Sequence, residues 1–522
     1  MSARLRLADL LAGLSVACDL GFGLPPEEAM RSCLVGTALA RRMGLDEGEV
    51  SDTFYTSLLL HVGCTGFAHE TAALFGNEQA VLGAVARTDV ADPREIVKKV
   101  VPAAARGLGP VASARMTGHA IFRGAAFGRA FDTGSCEVAS SMARRIGLSD
   151  GVQRALYETA EWWKGGSAPQ GLRGEDIALP ARIARVAADA VALADVVDAE
   201  LVVEGVRKRA GSTLDPSVAE ALEANAGELL AESDTGDPRE RLLEAEPEPV
   251  AERDAAELRE VAAAFGDLAD LKVPLTHGHS AEMARLATDA ARRLRLDTGT
   301  VDRLEIAALL HDIGRSAISN VVWEKPGALT RTEWEQVRMH PYHSERILAT
   351  SSSLEPMAPI VGRHRERLDG SGYHRGCRSR EIPPAVRVLA AADEFQAMTQ
   401  ERSYRSAVTP EQAAEELSQQ ARAGLLDSES VAAVLDVAGQ TRSRKRRSDL
   451  RPAGLSERKV EVVRLVAEGC SNPEVARRLV ISRRTAEHHV QHIYTKLGVA
   501  SRPAVALFAM EHDLISDPPG PS

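Results

Sequence analysis

The stretch EIAALLHDIGR, Glu305–Arg315, decides how this chain is read. Its apolar residues recur at helical spacing, and the pair His311-Asp312 closes the run. Burying such a pair beside Leu309 and Leu310 costs on the order of several kcal/mol unless a metal or a charge partner compensates. More residues of the same chemistry flank it. His279 lies near the start of a helix, His340 and His364 follow, and Asp393 sits in the helical run RVLAAADEF. Neutral imidazoles and carboxylates are the donors that divalent iron, manganese and zinc accept. A bundle of helices can gather scattered donors of this kind in its core.

Around this stretch the chain is long, helical and uneven in charge. At about 100–200 residues per domain, 522 residues imply roughly three domains. Aromatics are only 4% and β-branched runs are rare, so almost everything reads as helix. No apolar run reaches the ~18 residues of a membrane span. The first residues, MSARLRLADLLAGLSVACDLG, lack a clean apolar core and a cleavage site, so they are not read as a signal peptide. Cys18, Cys33, Cys64, Cys136, Cys377 and Cys470 are scattered without a CxxC pair. That argues against a disulfide framework or a zinc-cysteine site and suits a reducing cytoplasm. A membrane-spanning or secreted protein is therefore not expected. From Gln440 to Ser516 the chain holds 15 Lys/Arg against 8 Asp/Glu, whereas the part before it is strongly acidic. An acidic body with a basic end suggests that only the end meets a polyanion. The acidic stretch 232–254 and the basic stretch 441–454 read as linkers. They separate residues 1–231, 255–440 and 455–516.

The first two pieces repeat one another. His61-Val62-Gly63 aligns with Asp312-Ile313-Gly314 at an offset of 251, which also pairs Leu45 with Leu296 and Val50 with Val301. Glu161–Arg182 matches Glu366–Arg387 without a gap at an offset of 205, so the first copy carries an insertion between the two blocks.

At this point the second copy resembles a known family. HDIG followed by HxExxDGxGY is similar to the HD-GYP branch of the HD metal-dependent phosphohydrolases. The resemblance covers about Leu271–Gly439. It implies an all-helical fold, two or three metals (iron or manganese, two being the expectation here) and phosphodiesterase activity on cyclic di-GMP. By the same resemblance the ligands are His279, His311, Asp312, His340, His364 and Asp393, with Asp312 bridging as the catalytic carboxylate. Arg315 takes the place of a phosphate-contacting lysine and keeps its charge. Gly370, Gly372 and Tyr373 shape the nucleotide pocket. Four positions depart from the family: Arg365 replaces the second of two paired histidines, His374 replaces a proline, and Gln396 and Glu401 stand where aspartates are usual.

The first copy has no matching donors. At the two offsets His279 corresponds to Glu28, His311 to Leu60, Asp312 to His61, His340 to Ser135, His364 to Thr159 and Asp393 to Ala188. It is expected to be a degenerate HD-type domain. His61 and the nearby His69 read as a polar core or surface feature rather than a metal site.

The last piece carries helix punctuation. Ser456, Ser471 and Ser482 precede three helical runs, Pro473 sits in the first turn of the second, and Gly469 and Gly498 stop the first and third. Val460, Leu465, Val475, Leu479, Val490, Ile493 and Leu497 are core by spacing. A short connection between the second and third runs is helix-turn-helix geometry. This piece resembles LuxR-type DNA-binding domains along its length. The resemblance implies that Ser482, Arg483, Arg484, Thr485, His488, His489, Gln491, His492 and Lys496 face double-stranded DNA. Arg484, His488 and Gln491 are candidates for base edges, and Lys496 for phosphate. The run Arg442–Arg447 either adds sequence-independent affinity or serves as a solvated tether.

The expected whole is an all-α chain: tandem HD-type helical domains followed by a small LuxR-type helix-turn-helix bundle. It reads as a cytoplasmic bacterial transcription regulator and homodimer. Its second domain binds divalent metal and a cyclic dinucleotide or another phosphorylated ligand. The alternative is a metal-dependent cyclic di-GMP phosphodiesterase with a DNA-tethering tail.

Overall fold

The computed structural model describes residues 4–106, 109–401, 406–445 and 452–515. Among them almost all regular structure is helical. The two short strands, Leu5–Arg6 and Glu252–Arg253, pair antiparallel. The chain divides into two compact units. One holds Met1–Val261 with Ser319–Val321 and Thr350–Ser353. The other holds Ala262–Ile318, Val322–Ala349 and Leu354–Ser522.

The internal repeat reappears as repeated elements. In the first unit the helices Glu28–Arg42 and Glu47–Leu58 lead into the tight turn Val62–Phe67. In the second, His279–Arg293 and Thr298–Leu310 lead into Ile313–Ala317, each element beginning 251 residues later. The helix Leu179–Ala194 recurs as Pro384–Thr399 at the offset of 205, with identical length. Local chemistry is repeated too. The Asp46 carboxylate accepts from the Glu49 amide at 2.9 Å, and the Asp297 carboxylate from the Thr300 amide at 3.0 Å, so the same cap starts both second helices. Each first helix ends in a left-handed residue, Gly44 (φ 78°) in one copy and Arg295 (φ 58°) in the other. The inserted segment of the first copy contains most of the 36-residue helix Pro110–Arg145.

In the first unit Val35, Leu39, Val50, Ile183, Val186 and Leu222 form one core. The acidic stretch 232–254, expected as a linker, is built into this unit. Its helix Pro238–Ala245 buries Leu242 completely, and Glu252–Arg253 supplies the second strand. Its acidity is misleading because Glu246 is buried and paired: Arg6 donates to it at 2.9 and 2.6 Å, and the Tyr55 hydroxyl at 2.9 Å. The basic stretch 441–454 was also expected as a linker, but the helix Ser428–Lys445 runs into it. Residues 446–451, with Arg446 and Arg447, lie outside the described residues, as do 516–522.

The C-terminal piece forms the three expected helices, Glu457–Ala467, Asn472–Arg478 and Arg483–Leu497, and a fourth, Arg502–Glu511. Ser471 and Glu474 make a reciprocal cap, and the Ser482 hydroxyl accepts from the Thr485 amide at 3.1 Å. Val460, Val475, Val490 and Ile493 are buried as spacing requires, while Leu465, Leu479 and Leu497 are half-buried. No helix among the described residues is long and apolar enough to cross a membrane.

Candidate metal centre

The second unit brings all six expected ligands together. His279 opens its helix after Gly278, and His311 and Asp312 form the joint between the helix Thr298–Leu310 and the turn Ile313–Ala317. His340 opens the helix His340–Ala349, His364 follows the helix Ala358–Val361, and Asp393 lies within Pro384–Thr399. None is more than 3% exposed. The glycine of the HDIG motif sets the spacing. A Cβ on Gly314 would stand 2.3 Å from the His340 carbonyl oxygen and from the Ser344 amide nitrogen, so only glycine lets the turn touch this helix. The Gly314 amide donates to the Ser344 hydroxyl, which itself donates to the His311 carbonyl at 2.7 Å.

Four imidazoles converge in two pairs. His279 and His311 face each other Nε2 to Nε2 at 3.3 Å, and His340 and His364 at 3.2 Å. The Nδ1 atoms of His311, His340 and His364 lie 2.8, 2.7 and 2.6 Å from the carbonyls of Ala308, Val337 and Val361. A carbonyl only accepts, so each of these Nδ1 atoms carries the proton and donates it. In the neutral ring Nε2 is then a bare lone pair. Burial pushes the pKa of His340 down, against the pull of Asp312. Burial, then His311 and His340, push that of His364 well down. The His340–His364 contact thus sets two lone pairs against each other at hydrogen-bond distance, which is favourable only with a cation between them. Asp312 divides its oxygens between the pairs. Oδ2 is 3.8 Å from His279 and 3.5 Å from His311, while Oδ1 is 3.3 Å from His340 and 3.8 Å from His364. Three groups of these side chains have the spacing of a metal site: His279–His311–Asp312, Asp312–His340–His364 and His311–His364–Asp393. The donor set fits divalent iron, manganese or zinc.

Two arginines stand beside the carboxylates. Arg315 Nη1 lies 3.1 Å from Asp312 Oδ2, and its guanidinium stacks 4.3 Å over the Trp323 ring. Burial raises the Asp312 pKa, but Arg315, then His311 and His340, outweigh it and hold the carboxyl well below its usual range. Arg365 approaches Asp393 with Nε at 2.8 Å from Oδ2 and Nη2 at 2.9 Å from Oδ1. Burial raises the pKa of Asp393, and Arg365 opposes the rise.

The Gly370–Tyr373 loop is tied down from both sides. Glu366 accepts from the amides of Arg375 at 3.0 Å and Cys377 at 2.9 Å. Its counterpart Glu161 accepts from Gln170 and Gly171 in the first copy. Arg338 donates to the carbonyls of Gly372 at 3.0 Å and Tyr373 at 2.7 Å. Gly370 has φ 85°, and a Cβ on Gly372 would lie 2.5 Å from the Glu366 Cα. Tyr373 faces the His340 ring at 5.9 Å. Arg338 and Trp323 were not singled out from the sequence, since each acts through a fold contact that spacing does not encode.

No group of this kind forms in the first unit among the described residues, and neither His61 nor His69 belongs to one. The His61 ring stacks on Phe22 at 4.5 Å, and burial, then Arg185, push its pKa down to about 4. This unit also holds ion pairs, Arg209 with Asp189 at 2.6 Å and Arg182 with Asp215 at 2.6 Å. His61→Ala is therefore expected to leave the metal content of the full-length chain unchanged by elemental analysis. A loss of one ion per chain would place a metal in the first copy.

The helix Arg483–Leu497 turns its polar face outward. Ser482, Arg483, Arg484, Thr485, His488, Gln491, His492 and Lys496 are exposed and His489 is half-buried. Arg483 pairs with Glu487 at 2.8 Å, the His488 and His492 rings lie 4.1 Å apart, and Lys496 Nζ donates to the Gly454 carbonyl.

Comparisons with known proteins agree on both parts. Residues 263–429 match the family described as HD domain, and 453–509 match the bacterial regulatory proteins of the luxR family. The chain is 30% identical over 409 residues to 3′3′-cGAMP-specific phosphodiesterase 3 of Vibrio cholerae, a match spanning 77% of this chain and 88% of that protein. It is 38% identical over 144 residues to a cyclic di-GMP phosphodiesterase of Thermotoga maritima, spanning 27% of this chain and 39% of that one. A solved structure of a cyclic GMP-AMP-specific phosphodiesterase of V. cholerae aligns with TM-score 0.57 and 26% identity, covering 84% of this chain and 98% of that one.

Proposed function

The chain belongs to the HD-GYP phosphodiesterases and carries a LuxR-family DNA-binding domain; from that premise we propose that it is a DNA-binding regulator whose metal centre takes a cyclic dinucleotide and opens its phosphodiester. The observation that carries the reading is the His340–His364 contact, two bare Nε2 atoms at 3.2 Å beside a carboxylate. Two divalent ions, iron or manganese, are the proposed complement. When bound they supply an activated hydroxide and positive charge for the phosphoryl oxygens.

The chain's own residues do the rest. Asp312 offers one oxygen to each histidine pair and so serves both positions. The three Nδ1–H···O=C bonds fix ring orientation and keep Nε2 available. Arg315, held over the Trp323 ring, presents a fork that matches a phosphate oxygen pair. Arg338 donates to the backbone of Gly372 and Tyr373, which supports a role for Tyr373 as one wall of the nucleotide site.

Double-stranded DNA is the proposed partner of the exposed face on Arg483–Leu497. Within the second unit His277, two residues before His279, donates to the Ala467 carbonyl at the end of the first DNA-domain helix. This contact supports a coupling between occupancy of the metal centre and DNA binding. A cytoplasmic location fits six free, buried cysteines. A homodimer is proposed as the binding state, since paired half-sites suit a two-fold protein.

The test uses the full-length chain loaded with Mn²⁺. It is expected to convert 3′3′-cGAMP or cyclic di-GMP to a linear product, read by chromatography. Binding without turnover would remove the hydrolysis and keep the nucleotide-responsive regulator. Absence of both binding and turnover would overturn the reading.

A further inference from the structure

The buried centre balances its charge from within the chain. Asp312 and Asp393 are its two carboxylates, and each has its own guanidinium, Arg315 on Asp312 and Arg365 on Asp393. The two pairs are not equivalent. Arg315 reaches Asp312 through one nitrogen and one oxygen, which leaves Oδ1 facing His340 and His364. Arg365 covers both oxygens of Asp393, at 2.8 and 2.9 Å. It is also braced: Nη1 lies 3.8 Å from Glu394, the guanidinium stands 6.0 Å from the Tyr373 ring, and its backbone carbonyl accepts from the Tyr373 amide at 3.2 Å. Of the three groups with metal spacing, the two that share Asp312 contain no carboxylate that Arg365 pairs with. The third, His311–His364–Asp393, contains the carboxylate that Arg365 holds.

We infer that Arg365 fills a cation position on Asp393 and so limits the centre to the ions held around Asp312. A metal at the third position would have to share both carboxylate oxygens with a fixed positive charge a few ångströms away. It would also gain no further donor there, since a guanidinium has no lone pair to offer. Histidine at 365 would remove the charge and add a donor of the type the centre already uses four times.

The inference rests on the proposed metal reading and is tested by counting ions rather than by turnover. Bound Mn²⁺ per chain is measured by equilibrium dialysis and elemental analysis on the full-length protein. Arg365→His is expected to raise the count at saturation by about one, and the double variant with Asp393→Asn to return it to the wild-type value. A count equal to wild type in Arg365→His overturns the inference, as does a gain that survives Asp393→Asn. Arg365→Gln keeps the inference testable if Arg365→His fails to fold. It removes the fixed charge from Asp393 and is expected to raise the count as well, and a count equal to wild type overturns the inference. If the wild-type chain binds no Mn²⁺, or Asp312→Ala binds as much, it is the underlying metal reading that fails.

Discussion

Asp312→Ala is expected to strip nearly all bound divalent metal from the full-length chain and, with it, any hydrolysis of a cyclic dinucleotide. The size of the effect follows from geometry. One carboxylate faces both histidine pairs, at 3.3–3.8 Å from all four Nε2 atoms. Removing it takes a donor from both proposed ion positions at once, whereas His340→Ala removes one donor from one of them. Single-ligand losses in such centres also unbalance charge. Without Asp312, Arg315 remains on Trp323 with no carboxylate beside it, and breaking a buried ion pair from one side costs about 3–5 kcal/mol. Asp312→Asn separates the two effects, since it keeps the volume and one acceptor oxygen. Elemental analysis of wild type, Asp312→Ala, Asp312→Asn and His340→Ala checks the order. Equal metal in all four would show that the ions sit elsewhere.

Of the candidate ligands, His311 and Asp312 were legible as a local signal, while His279, His340, His364 and Asp393 were assigned through the family resemblance. A His-Asp pair at the end of an apolar helix is costly unless compensated, and the helix start at Asp297, the turn at Ile313–Ala317 and the loop at Gly370–Tyr373 follow from cap, glycine and motif chemistry. The repeat was legible in matches at two fixed offsets, and the structure adds that Asp46 and Asp297 cap equivalent helices and that Gly63 and Gly314 both stand where a Cβ would strike a packed helix. What stayed hidden depends on partners far apart in the chain. Arg338 acts on a loop 34 and 35 residues away, and Arg365 meets Asp393 across 28 residues. Glu246 looked like part of a solvated acidic tether because nothing local marks Arg6 and Tyr55 as its partners. The fourth helix of the DNA-binding piece carries the same serine punctuation as the three before it, a Ser501 cap, with Pro503 in its first turn, so its start is equally legible.

Arg484→Ala or Gln491→Ala is expected to relax the sequence preference of DNA binding, at a cost of about 1–3 kcal/mol at one base pair. Arg484, His488 and Gln491 lie four and three residues apart, so they share one face of the helix Arg483–Leu497, and all three are exposed. Arg483 is different, because its Nε is already engaged with Glu487 at 2.8 Å. That pairing also draws the one acidic side chain of the helix toward a cation on its own surface, which lessens its repulsion of phosphate. Lys496 sits at the other end of the helix, where its ammonium reaches the Gly454 carbonyl. An ammonium there serves as a point charge for phosphate and carries no base code. Lys496→Ala is therefore expected to weaken all duplexes alike and to reduce the slope of log affinity against log salt by about one contact. Selection from random duplexes followed by salt titration separates the two behaviours. If Gln491→Ala and Lys496→Ala change preference and salt slope in the same way, the division into a reading face and a phosphate-facing end is wrong. If the full-length chain selects no duplex at low salt, the exposed face is not a DNA surface.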